Sequence, residues 1–382
     1  MTSQQQQTDV SYLAPLMTIT EKTDPTDIRI NNRMMIFSLL FPNTVMSRAQ
    51  ISRRTGLSRV SVSEVVSEMI DHHILVETGQ EAPSRRGKKG TLIGVETGYW
   101  NIISLDLSQP FIIQGAVTNI LGQVLSRAEQ PVSKSTDITP DTVIELCQRL
   151  IDKAEGTVLG IGIAVPGIVD DHGTVTDSRN LDWSDLHLGD LLEERFDLPC
   201  FIDNDANSAA LTERFFGDGY RNMLFIQISI GVGAAILIDD SMVLGTNHAA
   251  GEIGHVVVEP DGAQCTCGKH GCLETLVSTS TLRAQMAAKP EERAAILQQA
   301  GAYLGKALSM PASLLDITDI VVYGPPDVVN DTLLDSVTET LDAATTTSTR
   351  QSKITARRCE CGENNVIIGE SISVVQSKLK QF

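Results

Sequence analysis

"GEIGHVVVEPDGAQCTCGKHGCLE", residues 251–274, gathers three of the chain's seven cysteines and two histidines into one short segment. A disulfide, a bound metal and a redox pair are the chemistries such a segment can serve. The N-terminal "MTSQQQQTDVSYLAPLMTIT" has no basic stretch ahead of an apolar core and does not read as a signal peptide. No apolar run reaches the ~20 residues of a membrane-spanning helix. A cytoplasmic location without membrane insertion is expected, and reduced thiols there argue against a disulfide framework. His255, Cys265, Cys267 and Cys272 follow the spacing H-x9-C-x-C-x4-C. Three thiolates and one imidazole fill a tetrahedral Zn2+ shell and leave no position for a catalytic water, so the ion expected is structural. A second Cys-x-Cys-Gly, at Cys359 and Cys361, has no Cys or His close by in the chain and is expected to be a pair of structural or surface thiols.

Around this segment lies a chain of 382 residues, long enough for two or three domains, with 42% hydrophobic residues and a net charge of −18. The charge is uneven. Residues 29–90 carry ten Lys/Arg against five Asp/Glu, whereas residues 91–382 hold a net −20. An acidic body repels nucleic acid, while a small basic module can approach phosphates.

Residues 1–28 are rich in Gln, Thr and Asp without apolar periodicity and are expected to form a disordered tail. From Asn31 the pattern is helical, with Met34, Met35, Phe37, Leu39 and Leu40 expected on one broad core face and Pro42 as the stop. "SRAQISRRTG" (47–56) predicts a helix capped by Ser47 and ended at Gly56. "LSRVSVSEVVSEMIDHHIL" (57–75) predicts a second one, capped by Ser58, with Val62, Val65, Val66 and Met69 inside. Two short helices across a glycine turn make a helix-turn-helix. Ser58, Arg59, Ser61 and Ser63 lie at the N-terminal end of the second helix, where base edges of double-stranded operator DNA would be met. "ILVETGQ" and "GTLIGVE" read as strands, and Arg85, Arg86, Lys88 and Lys89 on the turn between them suit a wing touching phosphate or minor groove. A winged helix-turn-helix over 29–96 is the expectation.

Beyond it, "WNIISLDLS" (100–108), "FIIQGAVTN" (111–119) and "GQVLSRAEQ" (122–130) read as strands, "PDTVIELCQRLIDKAEG" (140–156) as a helix and "TVLGIGIAVPG" (157–167) as a buried strand. The β-β-β-α-β order recurs in "MLFIQISIG", "GAAILIDD", "SMVLGTN", helices near 275–315 and "DIVVYG". Two α/β lobes with a ligand cleft between them follow, one over 97–212 and one over 213–382, with a C-terminal helix that could return to the first.

"GEIGH" followed by "CTCGKHGCLE" closely resembles the signature of the ROK family (repressors, open reading frames and sugar kinases). The resemblance implies a duplicated ribonuclease-H-like body of the actin and hexokinase type, with the winged helix-turn-helix of the repressor branch in front of it. It also implies a sugar site. "DNDANSAAL" (203–211) is similar to the family's sugar-lining segment, and Asn204 and Asp205 fall on its Asn-Asp pair. Asp205 is the position that acts as general base on the sugar hydroxyl in the kinases, and a helix N-terminus there is expected to favour its ionised form. Glu252 and His255 match the family's Gly-Glu-x-Gly-His, Glu274 matches the Glu after the last cysteine, and Asn180 in "SRNLDW" resembles a further sugar-side position. Carboxylates, amides and an imidazole supply the acceptors and donors that vicinal hydroxyls need. His255 would hold zinc through one ring nitrogen and face the sugar with the other, so that the ion organises the pocket.

The nucleotide half departs from the family pattern. A family kinase carries Asp-x-Gly-Gly-Thr where backbone amides cradle phosphate. "DLSQP" (106–110) keeps Asp106 but has Ser108, Gln109 and Pro110 in the last three places. "SIGVG" (229–233) has Ser229 and Ile230 where Gly-Thr-Gly-x-Gly begins, and "YGPPD" (323–327) puts Pro325 and Pro326 into a Gly-rich loop. The expected function is a DNA-binding regulator, a repressor of carbohydrate-utilisation genes released by a sugar or sugar phosphate, with Asp205 a degenerate base and no catalytic residue left. A homodimer, or a dimer of dimers, on a near-palindromic operator goes with it. The alternative is an active ROK kinase that phosphorylates a hexose or N-acetylhexosamine with ATP. A regulator that docks a phosphotransferase-system protein is a third class.

Overall fold

α1 spans Pro25–Leu40, so the helix begins inside the segment expected to be a disordered tail. Proline is preorganised for a first helical turn, and Asp27 there faces the positive end of the helix dipole. The buried face is narrower than expected. Arg33, Ile36, Phe37 and Leu40 are buried, while Met34, Met35 and Leu39 are only half-buried. One stripe at three- and four-residue spacing suffices, because α1 packs on a single side. The structure, a computed structural model, describes residues 25–80, 90–346 and 353–381. The four cations assigned to the wing and most of the expected tail lie outside those residues.

β1 (Met46–Ser47), α2 (Arg48–Thr55), α3 (Arg59–Asp71), β2 (Leu75–Gln80) and β3 (Thr91–Val95) complete the N-terminal module, with strand order β1-β3-β2. The predicted caps are in place. The Gln50 side chain accepts from the Ser47 backbone N–H at 2.7 Å, and Gly56 ends α2 with a left-handed φ of 75°. Ser58 Oγ accepts from the Ser61 N–H at 3.0 Å. Val62, Val65, Val66 and Met69 are buried.

The first lobe follows with β4 (Trp100–Asp106), β5 (Ile112–Thr118), β6 (Val124–Pro131), α4 (Pro140–Ile151) and β7 (Thr157–Val165). A small sheet of β8 (Ile168–Val169), β9 (Val175–Ser178) and β10 (Trp183–Leu186) precedes α5 (Leu188–Phe196), β11 (Cys200–Asn204) and α6 (Asp205–Phe216). The second lobe holds β12 (Met223–Ile228), β13 (Val232–Ile238), β14 (Ser241–Met242), α7 (Glu274–Val277), α8 (Thr279–Ala288), α9 (Arg293–Leu314), β15 (Asp319–Tyr323), α10 (Asp331–Thr345), β16 (Thr355–Arg358) and α11 (Asn365–Gln381).

The lobes share one plan. Their sheets run β6-β5-β4-β7-β11 and β14-β13-β12-β15-β16, antiparallel through the first three strands and parallel through the last three. This is the duplicated ribonuclease-H-like arrangement. Central strands such as β12, buried at every position, explain the unbroken apolar runs in the sequence. α11 returns to the first lobe and lies against α6. A Cβ on Gly369 would stand 1.8 Å from the Ser208 carbonyl oxygen, so only glycine permits that approach.

The N-terminal module is not a loose appendage. Ile36, Leu40 and Val66 share one apolar cluster with Ile102, Ile120 and Leu159 of the first lobe and Val374, Val375 and Leu379 of α11. Trp100 Nε1 donates to the His72 carbonyl at 3.0 Å across the same junction.

The Cys359–Cys361 pair has a structural setting. Cys359 donates its thiol proton to the buried Glu213 carboxylate at 3.1 Å, which also accepts from Arg357 Nη1 at 2.6 Å and from the Glu360 N–H at 2.9 Å. Among the described residues no helix is long and apolar enough to cross a membrane.

Candidate functional site

The segment between β14 and α7 folds His255, Cys265, Cys267 and Cys272 together, with all four donor atoms within 4.8 Å of one another. His255 Nδ1 lies 3.5 Å from Cys265 Sγ, and Cys267 Sγ lies 3.6 Å from Cys272 Sγ. Two ligands bound at ~2.3 Å around a tetrahedral ion stand ~3.7 Å apart, so three sulfurs and one nitrogen here fit a thiophilic metal ion. Local bonds hold the cage. The Cys265 N–H donates to the Lys269 carbonyl at 2.8 Å, and Lys269 Nζ donates to the His255 carbonyl at 2.6 Å. Gly271 has φ 66°, and a Cβ there would sit 1.5 Å from the Glu259 carbonyl oxygen, so the loop closes only on glycine. The backbone N–H of Lys269 holds the Cys267 thiol below its usual range, whereas burial and the neighbouring thiols push Cys272 up to about 12.

The other ring nitrogen of His255, Nε2, points at Glu252, 3.9 Å from Oε2. Glu252 in turn feels the charges of Glu274, Asp177 and Arg179, and its carboxyl is raised chiefly by burial. Arg179, at the end of β9, donates to the Thr266 carbonyl inside the metal loop at 2.7 Å. That bond crosses from the first lobe to the second. Asn180 follows it, exposed on the rim.

Across the cleft, β11 runs directly into α6. Asn204 caps the helix: its Oδ1 accepts from the N–H groups of Ala206 and Asn207, and its Nδ2 donates to the Gly167 carbonyl at 2.9 Å. Asp205 is buried as the first helical residue. Its expected ionised state is not what the environment favours. Burial, and after it the nearby Asp106 charge, raise its pKa to about 7, against the lowering by backbone N–H groups at the helix start. Glu252 adds to the rise, so Asp205 shares the same field as the metal-side carboxylates. Gln227 of β12 donates its amide N–H to Asp205 Oδ2.

Residues 111–377 match the ROK family, which is most of the chain. The chain belongs to the ROK family. It is similar to the xylose repressor of Caldicellulosiruptor bescii, 32% identical over 259 residues that cover 66% of this chain and 64% of that protein. The chain thus spans less than two thirds of that relative's length. It is 25% identical over 341 residues to the DNA-binding transcriptional dual regulator NagC of Escherichia coli, covering 80% of this chain and 83% of NagC. Among solved structures, a ROK family transcriptional regulator homologous to the E. coli MLC protein superposes with a TM-score of 0.77 at 22% identity, over 93% of this chain and 97% of that one. The likeness is one of fold.

At the stretches that resemble the phosphate loops of ROK kinases, neighbouring residues bond to one another. Asp106 Oδ1 accepts from the Ser108 N–H at 2.8 Å and from its hydroxyl at 2.6 Å, and Gln109 Nε2 donates to Oδ2 at 3.2 Å. The residues in place of the phosphate-loop glycines therefore cap the carboxylate beside them. In the second loop, the Ser229 N–H donates to the Gly231 carbonyl at 2.9 Å, and the Val232 N–H meets Glu274 Oε2 at 3.4 Å. A carboxylate at that N–H opposes an incoming phosphate. The third loop is pinned, with Asp327 held by Arg283 at 2.8 and 2.9 Å.

On the N-terminal module, Ser58, Arg59 and Ser63 are exposed at the start of α3. Ser61 is half-buried and shares its hydroxyl with Ser58 Oγ at 2.8 Å. Val60, which sequence periodicity passes over, is 66% exposed beside Arg59 and is an apolar candidate for base contact. Gln227 is the other residue missed. Its signal was a single amide inside the apolar run "MLFIQI".

Proposed function

We propose that this ROK chain is a sugar-responsive transcriptional regulator that represses carbohydrate-utilisation genes from the cytoplasm. One observation carries the reading. Ser108 and Gln109 donate to Asp106 in the stretch that departs from the kinase phosphate loop, and Gln227 donates to Asp205, the position of the kinase base. The sugar or sugar phosphate is held by Asn204, Asp205, Glu252, His255 and Glu274, with Asn180 at the rim. His255, Cys265, Cys267 and Cys272 hold a structural Zn2+, which sets the ring of His255 and stiffens the loop that Arg179 reaches. When bound, the ion supplies the charge that keeps the three sulfurs as thiolates.

Ser58, Arg59, Ser61 and Ser63 read the major groove, and Arg85, Arg86, Lys88 and Lys89 meet the backbone. A homodimer presents two such modules to a near-palindromic operator. To change occupancy strongly, sugar must favour the released state by ~3–5 kcal/mol. The test is operator binding by the full chain with D-xylose, D-glucose and N-acetyl-D-glucosamine. A sugar that lowers DNA affinity supports the reading, and indifference to all of them counts against it.

A second reading, an active sugar kinase, is favoured by the position and pKa of Asp205, which suit a general base near neutral pH. A coupled ATPase assay with the same sugars separates the two. Turnover above ~1 s⁻¹, the low end for kinases, would establish the enzyme.

A further inference from the structure

α6 has the sugar-site residues at one end and the DNA-binding module at the other. Asn204 and Asp205 form its first turn, and Phe215 and Phe216 close its last. Twelve residues make it ~18 Å long at 1.5 Å per residue. Phe41 follows directly on α1. Its ring stands edge-on to both phenylalanines, with centroids 6.0 Å from Phe215 and 5.1 Å from Phe216 and interplanar angles of 88° and 68°. Phe37, buried in α1, lies 5.2 Å behind Phe41 and carries the contact into the core of the module.

Along its middle α6 is bonded to α11. Ser208 donates to the buried Glu370 carboxylate, Thr212 donates to the Asn365 carbonyl, and Gly369 brings the two backbones into contact. The ring contact is different in kind. It borders a small apolar cavity lined by Met34, Phe37, Phe41, Phe215, Ile372 and Val375, so Phe41 and Phe215 have unfilled space on one side. Stiff, close-packed helices transmit a displacement, and an unfilled space is where it can be taken up.

We propose that Phe41, Phe215 and Phe216 are the joint through which occupancy of the cleft at Asn204–Asp205 reaches the DNA-reading helix, a proposal that rests on the sugar-responsive reading above. Phe215 and Phe216 lie in the last turn of α6 and Phe41 just after α1, away in the chain from Asn204, Asp205 and the start of α3, so the three are positioning residues. A shift of α6 moves Phe216 against Phe41, Phe41 moves the end of α1, and α2 and α3 follow because they pack on α1.

The experiment measures DNA affinity by fluorescence anisotropy, on a duplex selected from a random pool by the wild-type chain, and sugar affinity by calorimetry. The sugars are D-xylose, D-glucose and N-acetyl-D-glucosamine. In wild type, the effective sugar changes DNA affinity by about 1,000-fold. Phe216→Ala is expected to keep sugar affinity and sugar-free DNA affinity within about threefold and to reduce the sugar-induced change to below about fivefold. Phe216→Leu, which preserves most of the packing, falls between. A Phe216→Ala chain that responds as wild type does overturns the joint. Loss of sugar affinity in both variants makes Phe216 merely structural and overturns it too. A wild-type chain that responds to no sugar overturns the regulatory reading itself, and the joint with it.

Discussion

The side-chain amide of Gln227 donates to the carboxylate of Asp205, joining the central strand of the second lobe to the first residue of α6. In the kinases that resemble this chain, the Asp205 position takes a proton from sugar. Here Oδ2 already has a donor in Gln227, and burial and the Asp106 charge raise its pKa to about 7.

That environment has a consequence for stability. The folded pKa of Asp205 is raised to about 7 by burial and by Asp106, while an unfolded aspartate loses its proton near ~3.9. Between those values the folded state holds a proton that the unfolded chain has released. The contribution of Asp205 to stability therefore falls as pH rises through that window and is constant above it. The full penalty is of order 4 kcal/mol. Asp205→Asn is expected to raise the thermal midpoint by a few degrees at pH 8 and to leave it nearly unchanged at pH 4. Equal shifts at both pH values would show that the charge is not the cause.

Glu370 makes a sharper case. It is fully buried on α11, its carboxyl is raised well above the usual range by burial and by Asp203, and Ser208 donates to it. Burial and the Asp203 charge both favour its neutral form. Glu370→Gln keeps the acceptor and is expected to change unfolding free energy by less than ~1 kcal/mol, whereas Glu370→Ala, which leaves a cavity and returns the Ser208 hydroxyl to the Asn204 carbonyl alone, costs ~2–4 kcal/mol. Urea denaturation reads both. A Gln variant as damaged as the Ala variant would mean that the charged form is the native one.

Cys267→Ala removes one of four metal donors. Zinc content by mass spectrometry is expected to fall from one ion per chain to well below one, and sugar affinity to fall at least about tenfold, the scale seen when support of a metal ligand is lost. Operator affinity without sugar is expected to persist, since the module lies elsewhere. Full zinc retention would remove Cys267 from the ligand set.

The two kinds of DNA contact separate by salt. Arg59→Ala is expected to erode preference for the operator over random duplex by ~1–3 kcal/mol. Arg85→Ala with Arg86→Ala is expected to weaken binding to all sequences alike and to flatten the dependence on salt. An unaltered salt slope in the double variant would move the wing elsewhere.

What could be read from the chain alone was local. The metal cage was legible because its four donors lie within one segment, and the helix caps at Ser47, Ser58 and Gly56 because capping depends on a few neighbours. The lobe duplication was legible because each strand carries its own pattern. The start of α1 was missed, since Pro25 and Asp27 look like tail residues until a first turn is drawn through them. The state of Asp205 was misjudged for a tertiary reason: the helix N-terminus is visible in sequence, but the burial and the Asp106 charge that outweigh it come from β4. Glu213 meeting Cys359, and Phe41 meeting Phe216, join residues far apart in the chain, and no spacing rule announces them.

Titration of sugar into the protein–operator complex, in buffer free of ATP and Mg2+, tests the whole account most directly. D-xylose, D-glucose or N-acetyl-D-glucosamine is expected to lower operator affinity by about 1,000-fold with the sugar recovered unmodified. Affinity that stays unchanged until ATP and Mg2+ are added, with sugar phosphate then accumulating, would contradict it.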